Sequence, residues 1–269
     1  MTKTYVITGA TSGIGQSLVE YFINDGNKVY AGYRNAEKID SIPAEAIPFY
    51  IDSTKEDTII AAAEFIKSKE SEIDTLINVS GCVVAGAIEH IEAKDLRRQF
   101  EVNVFAHLIL SQKLLNILEG GKIINISSMS SFGIFPFISP YGASKRALDI
   151  LFQALENETK HDIKVISIKP GVIATPLWEK SIKENEASFE SQKEFQNEMK
   201  YMINNAQKNG KQGLQVEKVV KLIAKVDKLK NPNPSYTIGF DAKFAEIASH
   251  LPLKLLNNII KYKIKKLGK

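Results

Sequence analysis

Hydrophobic and polar positions alternate along the chain in two rhythms. Short apolar or β-branched runs at residues 5–7, 28–30, 47–51, 75–77, 122–126, 163–168 and 236–238 predict strands. Between them, apolar residues recur three and four positions apart at residues 16–25, 55–69, 96–118 and 140–160, which predicts helices. Strands that alternate with helices pair in parallel through right-handed crossovers, and the helices cover both faces of the sheet. We therefore predict an α/β fold, a doubly wound parallel sheet in three layers.

The second part of the chain departs from this alternation. Residues 177–212 are highly charged, yet apolar residues recur there at helical spacing, which predicts an amphipathic helix that lies as a lid over an apolar surface. Residues 240–269, after the last predicted strand, predict a C-terminal helical extension. Because no internal repeat, low-complexity tract or Pro/Gly-rich linker interrupts the sequence, we predict a single domain over residues 1–269.

Composition narrows the class of protein. The chain has 269 residues, of which 44% are hydrophobic and 25% charged, as is typical of a folded globular domain. A net charge of +4 is too weak to indicate a nucleic-acid partner. The single cysteine, Cys82, cannot form an internal disulfide and the four histidines are scattered, so we expect a reducing, cytoplasmic setting and no metal. With neither a signal-peptide core nor about eighteen consecutive apolar residues, we expect no membrane span.

A glycine-rich turn lies between the first predicted strand and the first predicted helix. Residues 8–15 read Thr-Gly-Ala-Thr-Ser-Gly-Ile-Gly. Glycine permits positive φ angles and close approach, and backbone N–H groups at a helix N-terminus bind anions. The turn therefore predicts a site for the pyrophosphate of a dinucleotide, formed by Gly9, Thr11, Ser12, Gly13, Ile14 and Gly15. The alternative is a turn without a ligand.

Arg34 follows the second predicted strand, where NAD-binding proteins carry an acid that binds the ribose hydroxyls. A guanidinium group at this place can hold a 2′-phosphate through two hydrogen bonds, and no acid repels that phosphate. Arg34 therefore predicts NADP(H) as the cofactor. The alternative is a solvated surface arginine.

Tyr141 and Lys145 lie four residues apart in the helix predicted to begin with Ser139 as its cap and Pro140 in its first turn. The two side chains therefore share one face of the helix. Free tyrosine has a pKa of about 10, and acid–base catalysis near neutral pH requires a lower value, which a close ammonium group supplies. A Tyr-x-x-x-Lys pair by itself is usually a surface coincidence, so its interpretation depends on the surrounding motifs.

Further motifs accompany this pair in order. They are residues 78–81 (Asn-Val-Ser-Gly), Asn103, Ser128 thirteen residues before Tyr141, and residues 170–175. Together with the glycine turn, they resemble the Rossmann-like short-chain dehydrogenases/reductases, in the single-domain branch similar to 17β-hydroxysteroid and retinol dehydrogenases. The resemblance covers about residues 4–176.

The resemblance implies catalytic roles for four residues. Tyr141 would pass a proton to or from the substrate oxygen, and Ser128 would hydrogen-bond the same oxygen. Lys145 would lower the pKa of Tyr141 and bind the nicotinamide ribose, and Asn103 would help to hold a water in the proton relay. Hydride would move to or from C4 of the nicotinamide ring.

The resemblance also implies cofactor contacts outside the glycine turn. They are Asp52 and Ser53 beside the adenine, Asn78 and Gly81 near the adenosine ribose, and Pro170, Gly171, Ile173 and Thr175 beside the nicotinamide carboxamide. The chain departs from the family pattern where Val79 and Ser80 replace the usual asparagine and alanine. We expect altered details at the ribose rather than loss of binding.

Bulky apolar residues near the catalytic set indicate the class of substrate. They are found in residues 133–138 and at Leu177 and Trp178, with Val83, Val84, Met199 and Met202 as further walls. These residues predict a pocket for a lipophilic alcohol or carbonyl compound, such as a retinoid, a steroid or a long-chain molecule. The alternative is that they are core residues.

The predicted C-terminal helix is strongly amphipathic. Leu253, Leu256, Ile260, Ile264 and Leu267 fall within an arc of roughly 80° on an ideal helix, and Lys254, Lys261, Lys265 and Lys269 cluster on the other side. Such a helix can lie on an anionic membrane and make the protein peripheral to it. The alternatives are that the apolar stripe packs on its own domain or on another subunit of a homo-oligomer.

These observations predict an NADP(H)-dependent alcohol dehydrogenase or carbonyl reductase for a small lipophilic molecule. A 3-oxoacyl thioester reductase is the alternative within the family, and the long segment after the last predicted strand disfavours it. A non-catalytic NADP(H)-binding sensor or interaction protein is the alternative from another class. The intact catalytic set disfavours the sensor, because a sensor needs no proton donor beside the nicotinamide.

Overall fold

The computed structural model describes residues 2–267, so Met1, Gly268 and Lys269, at the ends of the predicted domain and tail, lie outside the described residues. Within residues 2–267, seven strands form one parallel sheet in the order β3-β2-β1-β4-β5-β6-β7. The strands are β1 (Thr4–Ile7), β2 (Lys28–Tyr33), β3 (Ile47–Tyr50), β4 (Thr75–Asn78), β5 (Lys122–Ile126), β6 (Lys164–Pro170) and β7 (Ser235–Ile238). This arrangement confirms the predicted doubly wound parallel sheet.

Helices cover both faces of the sheet, which confirms the predicted three layers. The α-helices of the described residues are α1 (Gly13–Asn24), α2 (Glu56–Lys67), α3 (Ala93–Phe100), α4 (Ala106–Leu114), α5 (Ser139–Glu158), α6 (Leu177–Ser191), α7 (Gln196–Gln212), α8 (Val216–Asp227), α9 (Phe240–Ala248) and α10 (Leu253–Leu267). On one face α1 and α8 bury Phe22 and Ile223, and on the other α2, α4 and α5 bury Leu110 and Phe152. Within this stretch, none of the helices has the length and apolar character needed to traverse a bilayer.

The strand order places a crevice at the centre of the sheet. β2 pairs with one edge of β1, where Val6 lies opposite Tyr30, and β4 pairs with the other edge, where Val6 lies opposite Leu76. The helices that follow β1 and β4 therefore cover opposite faces of the sheet. Such a switch point leaves a crevice at the carboxyl ends of the strands, where α/β proteins bind ligands.

Two predicted helices are interrupted. The helix predicted at residues 96–118 is divided by a π-helical turn at Glu101–Phe105 and ends in a 3₁₀ turn at Leu115–Ile117. The helix predicted within residues 177–212 is in fact two helices, α6 and α7, separated by a 3₁₀ turn at Lys193–Phe195. The apolar spacing continues on both sides of each interruption, so periodicity alone does not reveal it. We call residues 177–212 the lid.

The start of α5 differs by one residue from the prediction. Ser139, predicted as the cap, is the first residue of the helix, and Ile138 occupies the cap position. The Ser139 hydroxyl donates to the Phe135 carbonyl (3.4 Å) instead of accepting a bond from the helix. Pro140 lies in the first turn as predicted, so the faces of the helix are unchanged.

The predicted C-terminal extension is helical, but its predicted membrane face is wrong. Leu256, Ile260, Ile264 and Leu267 of α10 are half-buried, and Ile264 packs against an apolar cluster that includes residues of α7. Leu253, at the start of the helix, is the exception, with 63% exposure. This stripe therefore packs on its own domain, which was one of the alternatives.

The amino ends of β1, β4 and β5 meet at one buried residue, Asp227. Asp227, at the end of α8, accepts hydrogen bonds from Lys3 Nζ (2.7 Å), Tyr5 Oη (2.8 Å) and Thr75 Oγ1 (2.7 Å). Its backbone carbonyl accepts a further bond from Lys122 Nζ (2.7 Å). Burial acts to raise the pKa of Asp227, but the bonds from Lys3, Thr75 and Tyr5 outweigh burial and hold the pKa below its usual value. Folding therefore stabilises the charged form.

We expect Asp227→Asn to lower the free energy of unfolding by about 1.5–3 kcal/mol at neutral pH, because weaker bonds replace those to a charged acceptor. Since the folded-state pKa is lowered, the wild-type advantage should be complete above the unfolded-state pKa of about 4 and be lost as the pH falls below it. Urea unfolding followed by circular dichroism measures both effects. The exposed Asp40→Asn is the control, and equal losses in the two variants would contradict the assignment.

Candidate active site

Most of the predicted site residues line one cleft of about 860 Å³ at the carboxyl ends of the strands. The predicted residues that line it are Gly9, Thr11, Ser12, Gly13, Ile14, Arg34, Ser53, Gly81, Ser128, Tyr141, Lys145, Pro170, Gly171, Ile173 and Thr175. Gly15, Asp52, Asn78 and Asn103 do not line it. The structure therefore brings the predicted cofactor and catalytic residues into one space.

The glycine turn after β1 forms a cradle that larger residues would fill. Gly9 has a φ of +65°, and a β-carbon at Gly15 would lie 2.2 Å from the Gly9 carbonyl oxygen. The start of α1 can thus come close to the turn and point its first amides into the cleft. Ser12 is the N-cap residue of α1, but its side chain makes no capping bond and stays available. The turn fits a pyrophosphate group.

A positively charged corner of the cleft contains Arg34 and Lys38. Asp52, the implied adenine contact, is turned to Thr54, whose amide (3.0 Å) and hydroxyl (2.8 Å) both donate to Asp52 Oδ1. Burial acts to raise the pKa of Asp52, whereas the bonds from Thr54 and the charge of Arg34 lower it below its usual value. No sequence motif predicted that Lys38 belongs to the cleft. It reaches the cleft because a 3₁₀ turn follows β2.

The segment after β4 is held through its backbone. Asn78 Nδ2 donates to Asn125 Oδ1 (2.9 Å) on β5, which explains why Asn78 does not line the cleft. Thr8 Oγ1 accepts bonds from the amides of Val79 (2.9 Å) and Ser80 (3.3 Å). These two bonds come from backbone amides, so the departure from the family pattern at Val79 and Ser80 leaves them in place. The Ser80 hydroxyl adds a longer bond to Thr8 Oγ1 (3.4 Å).

His107 is a buried residue for which the sequence predicts no role. Its Nε2 lies 2.8 Å from the Ser80 carbonyl oxygen. Burial, together with the charge of Lys145, lowers the pKa of His107 to about 3. The imidazole is therefore neutral, and its Nε2–H donates to Ser80. His107 and Thr8 together fix both the amide and the carbonyl of Ser80.

Ser128, Tyr141 and Lys145 meet in the cleft, as the motif spacing predicts. Ser128 follows β5, and Tyr141 and Lys145 lie one turn apart on α5. Lys145 Nζ is 5.8 Å from the centre of the Tyr141 ring and donates to the Ile126 carbonyl (2.7 Å). The three side chains therefore place two hydroxyl groups and one ammonium group around the same part of the cleft.

Burial has the largest effect on the pKa values of Tyr141 and Lys145. It raises the pKa of Tyr141 to about 12, and the neighbouring Ser128 hydroxyl opposes it only in part. Burial also lowers the pKa of Lys145 to about 8, against the charge of Asp149. The predicted lowering of the Tyr141 pKa is therefore not found in the structure, because loss of water on burial disfavours the phenolate. Tyr141 is protonated here, which is the form that donates a proton.

Side-chain amides hold residues 82–87, of which Cys82 and Val83 line the cleft, and we call this segment the wall. Asn103, in the π-helical turn, accepts a bond from Cys82 N (2.9 Å) and donates one to Cys82 O (3.1 Å). Gln99 accepts a bond from Val84 N (2.7 Å). The Asn103 amide therefore positions the wall, and the implied contact of Asn103 with a relay water stays a prediction.

The lid holds the same wall from the other side. Asn185 of α6 accepts a bond from Ala85 N (2.9 Å) and donates one to Val83 O (2.8 Å). Gln192, in the break between the two lid helices, accepts a bond from Ala87 N (2.8 Å). Both amide side chains are buried, so water does not compete for these bonds. The lid is thus fixed to the wall of the cleft.

Apolar side chains line the cleft next to Tyr141. The predicted ones are Val83, Phe135, Ile138, Leu177 and Trp178. Val84, Met199 and Met202 were also predicted as walls but do not line the cleft, and the two methionines pack in the apolar cluster under the lid. For these three residues the alternative of a core position is correct. The charged residues Arg98, Lys180, Lys183 and Glu184 also line the cleft and had no sequence signal.

His90, one of the four histidines, lies close to two glutamates, Glu89 and Glu194. Donor atoms of Glu89, His90 and Glu194 lie within 4.8 Å of one another, and all three residues are exposed. His90 Nε2 is 2.5 Å from Glu194 Oε1, which adds a second contact between the lid and the segment before α3. The absence of a metal stays a prediction.

A switch-point glycine cradle that shares a cleft with a Ser–Tyr–Lys group defines a dinucleotide-binding oxidoreductase. A family model described as short chain dehydrogenase matches residues 3–186. The chain therefore belongs to the short-chain dehydrogenase/reductase family, which confirms the resemblance found in the sequence.

Individual proteins show the same relationship. The chain is 33% identical over 190 residues to the NADPH-dependent 3-dehydrocapnine reductase of Ornithobacterium rhinotracheale, covering 65% of this chain and 67% of that one. It is 29% identical over 277 residues to the uncharacterized oxidoreductase YusZ of Bacillus subtilis, covering 97% and 98%. A solved short chain dehydrogenase from Burkholderia cenocepacia in complex with NADP has a TM-score of 0.73 at 24% identity, covering 96% of each chain. The similarity to the Burkholderia cenocepacia structure supports the assignment of the fold.

We expect Asn185→Ala to lower the free energy of unfolding by about 1–3 kcal/mol, because Ala85 N and Val83 O lose their buried partner. Hydrogen exchange should also become faster across the lid and residues 82–87. Urea unfolding and exchange followed by mass spectrometry measure these changes. Asn204→Ala, on the exposed face of α7, is the matched control. Unchanged exchange in Asn185→Ala would show that these bonds do not fix the lid.

Proposed function

We propose that this protein interconverts a lipophilic alcohol and its carbonyl compound with NADP(H) as cofactor. The observation that carries the proposal is that Ser128, Tyr141 and Lys145 share one cleft with the glycine cradle and Arg34. Two relatives agree with it, since one is named as an NADPH-dependent reductase and a structural neighbour was solved with NADP.

The charged corner of the cleft supports NADP(H) rather than NAD(H). Arg34 and Lys38 both line it, and the carboxylate of Asp52, which the charge of Arg34 reaches, is turned to Thr54. Two cations can bind a 2′-phosphate, whereas the ribose hydroxyls of NAD(H) need an acceptor such as a carboxylate. When bound, the nicotinamide supplies or accepts the hydride.

Residues of the chain itself carry out the proton transfer. Tyr141 carries its proton at neutral pH and can donate it to a carbonyl oxygen, and the Ser128 hydroxyl can hydrogen-bond the same oxygen. Reduction then adds hydride to the carbonyl carbon and a proton to its oxygen, and the charged Lys145 stabilises the phenolate that remains. In this protonation state Tyr141 can serve as the acid of the reduction.

The walls of the cleft support a lipophilic substrate. Val83, Ile138 and Leu177 place aliphatic groups next to Tyr141, and Trp178 uses its only donor on the Ile173 carbonyl (2.7 Å). The aliphatic groups of Val83, Ile138 and Leu177 offer a sugar no hydrogen-bond partners. The thioester reductase and the NADP(H) sensor remain the competing functions, and the substrate panel below separates them.

Two broader expectations stay predictions. A homo-oligomer is supported by Phe105, Ile150 and Leu151, large apolar residues exposed on neighbouring helical segments. A cytoplasmic location is supported by the single, buried Cys82.

Arg34→Asp should weaken NADPH binding by roughly 10- to 100-fold, since charge-assisted hydrogen bonds to a phosphate are lost and a repulsion is added. NADH binding should change little or improve. Calorimetry with both cofactors measures the two affinities. Arg97→Asp makes the same charge change on an exposed site outside the cleft and should leave both unchanged. An unaltered preference in Arg34→Asp would rule out this basis of selectivity.

Tyr141→Phe should lower turnover by about 10²- to 10⁴-fold, because it removes the proton-transferring hydroxyl. NADPH affinity should stay close to wild type. Absorbance of NADPH, followed over a panel of lipophilic aldehydes and ketones, measures turnover, and Tyr201→Phe on the lid surface is the matched control. A fully active Tyr141→Phe would disprove the acid–base assignment. If the wild-type protein binds NADPH but reduces only 3-oxoacyl thioesters, the result supports the thioester reductase. If it binds NADPH and reduces no compound of the panel, the result supports the sensor.

A further inference from the structure

Helix α9 presents a stripe of large apolar side chains to solvent. Phe240, Phe244 and Ile247 are spaced so that they lie on one face of the helix, and all three are exposed, Phe240 by 90%. Phenylalanine exposed to this degree is unfavourable in water. The stripe is therefore a surface without its partner.

Helix α10 carries a second apolar stripe besides the one that packs on the lid. Leu255, Ile259 and Tyr262 repeat the same spacing, fall within an arc of roughly 60° on an ideal helix, and are exposed. We call these three residues, together with the three of α9, the C-terminal apolar surface. Four residues join the helices, and Leu251 among them is exposed too.

The charges on α10 have one sign, whereas α9 carries Asp241, Lys243 and Glu246. α10 carries Lys254, Lys261, Lys263, Lys265 and Lys266, all exposed, and the sequence has no acid after Glu246. Among residues 2–267, none of these lysines forms a salt bridge. The apolar surface is therefore accompanied by unpaired positive charge.

The positive charge of α10 distinguishes between two candidate partners of the C-terminal apolar surface. A second copy of the chain, paired through the same surface, would bring the lysines of two α10 helices close together. An anionic phospholipid surface instead offers phosphate groups to the lysines and acyl chains to the aromatic and aliphatic side chains. We propose that α9 and α10 dock the C-terminal apolar surface on an anionic phospholipid bilayer.

The docked surface would lie beside the lid. The inner stripe of α10 packs against α7, and its Ile264 belongs to the apolar cluster that also contacts Tyr141. A bilayer bound to the outer stripe would thus be one helix away from the lid. Binding to vesicles needs neither cofactor nor substrate, so the docking proposal and the proposed reaction can fail independently.

Flotation of the full chain with vesicles tests the proposal. Binding is expected to vesicles that mix phosphatidylcholine with phosphatidylglycerol, to be weak on phosphatidylcholine alone, and to fall with salt because the lysines are screened. Phe244→Ser with Ile247→Ser, and separately Ile259→Ser with Tyr262→Ser, should each weaken binding by about tenfold or more. Lys261→Glu with Lys265→Glu should remove the preference for the anionic lipid.

The matched control is Ile88→Ser, which removes an apolar side chain of 60% exposure outside this surface and should bind like wild type. All replaced residues are exposed, so melting temperatures should stay near wild type, and the α9 and α10 pairs test the surface separately should one fail to fold. Absence of binding to anionic vesicles would overturn the proposal. Light scattering that shows a dimer broken by the serine variants, without vesicle binding, would assign the surface to a second copy.

Discussion

The loops that follow β1 and β4 lie directly against each other, and both halves of the site depend on this contact. A β-carbon at Gly9 would lie 3.0 Å from the Ser80 backbone, so the glycine turn fits only while Ser80 keeps its place. Thr8 binds the amide of Ser80 and His107 binds its carbonyl. One loop carries the glycine cradle and the other leads to Gly81, next to Lys145. A disturbance at Ser80 therefore reaches both the glycine cradle and the surroundings of Lys145.

The second determinant is the exclusion of water around Lys145. Removing an ammonium group from water is costly, and the bond to the Ile126 carbonyl offsets part of this cost. The same dry surroundings keep the proton on Tyr141. The pKa values of the two residues are thus set by what fills the cleft as much as by their separation. A group that brought donors or positive charge to the phenol oxygen would lower the Tyr141 pKa.

The sequence predicts the sheet well because each strand is a short apolar run between helical segments, and it predicts the catalytic group because strand order fixes where those residues emerge. It does not predict the π-helical turn at Asn103 or the lid break at Gln192, since the apolar spacing continues through both. Nor does it show that Lys38 turns back to the cleft. The sequence of α10 contains two apolar stripes. Periodicity does not show which of them is buried, and the structure shows that the stripe containing Ile264 packs against α7.

The amide bonds between the lid and residues 82–87 have a consequence for any motion of the lid. Asn185 and Gln192 bind consecutive parts of one short segment, so moving the lid away from this segment would break all of these bonds. Each broken bond would leave a buried amide or carbonyl group without a partner until water reached it. The free-energy cost of separating the lid from the segment is therefore larger than the cost of losing any single bond.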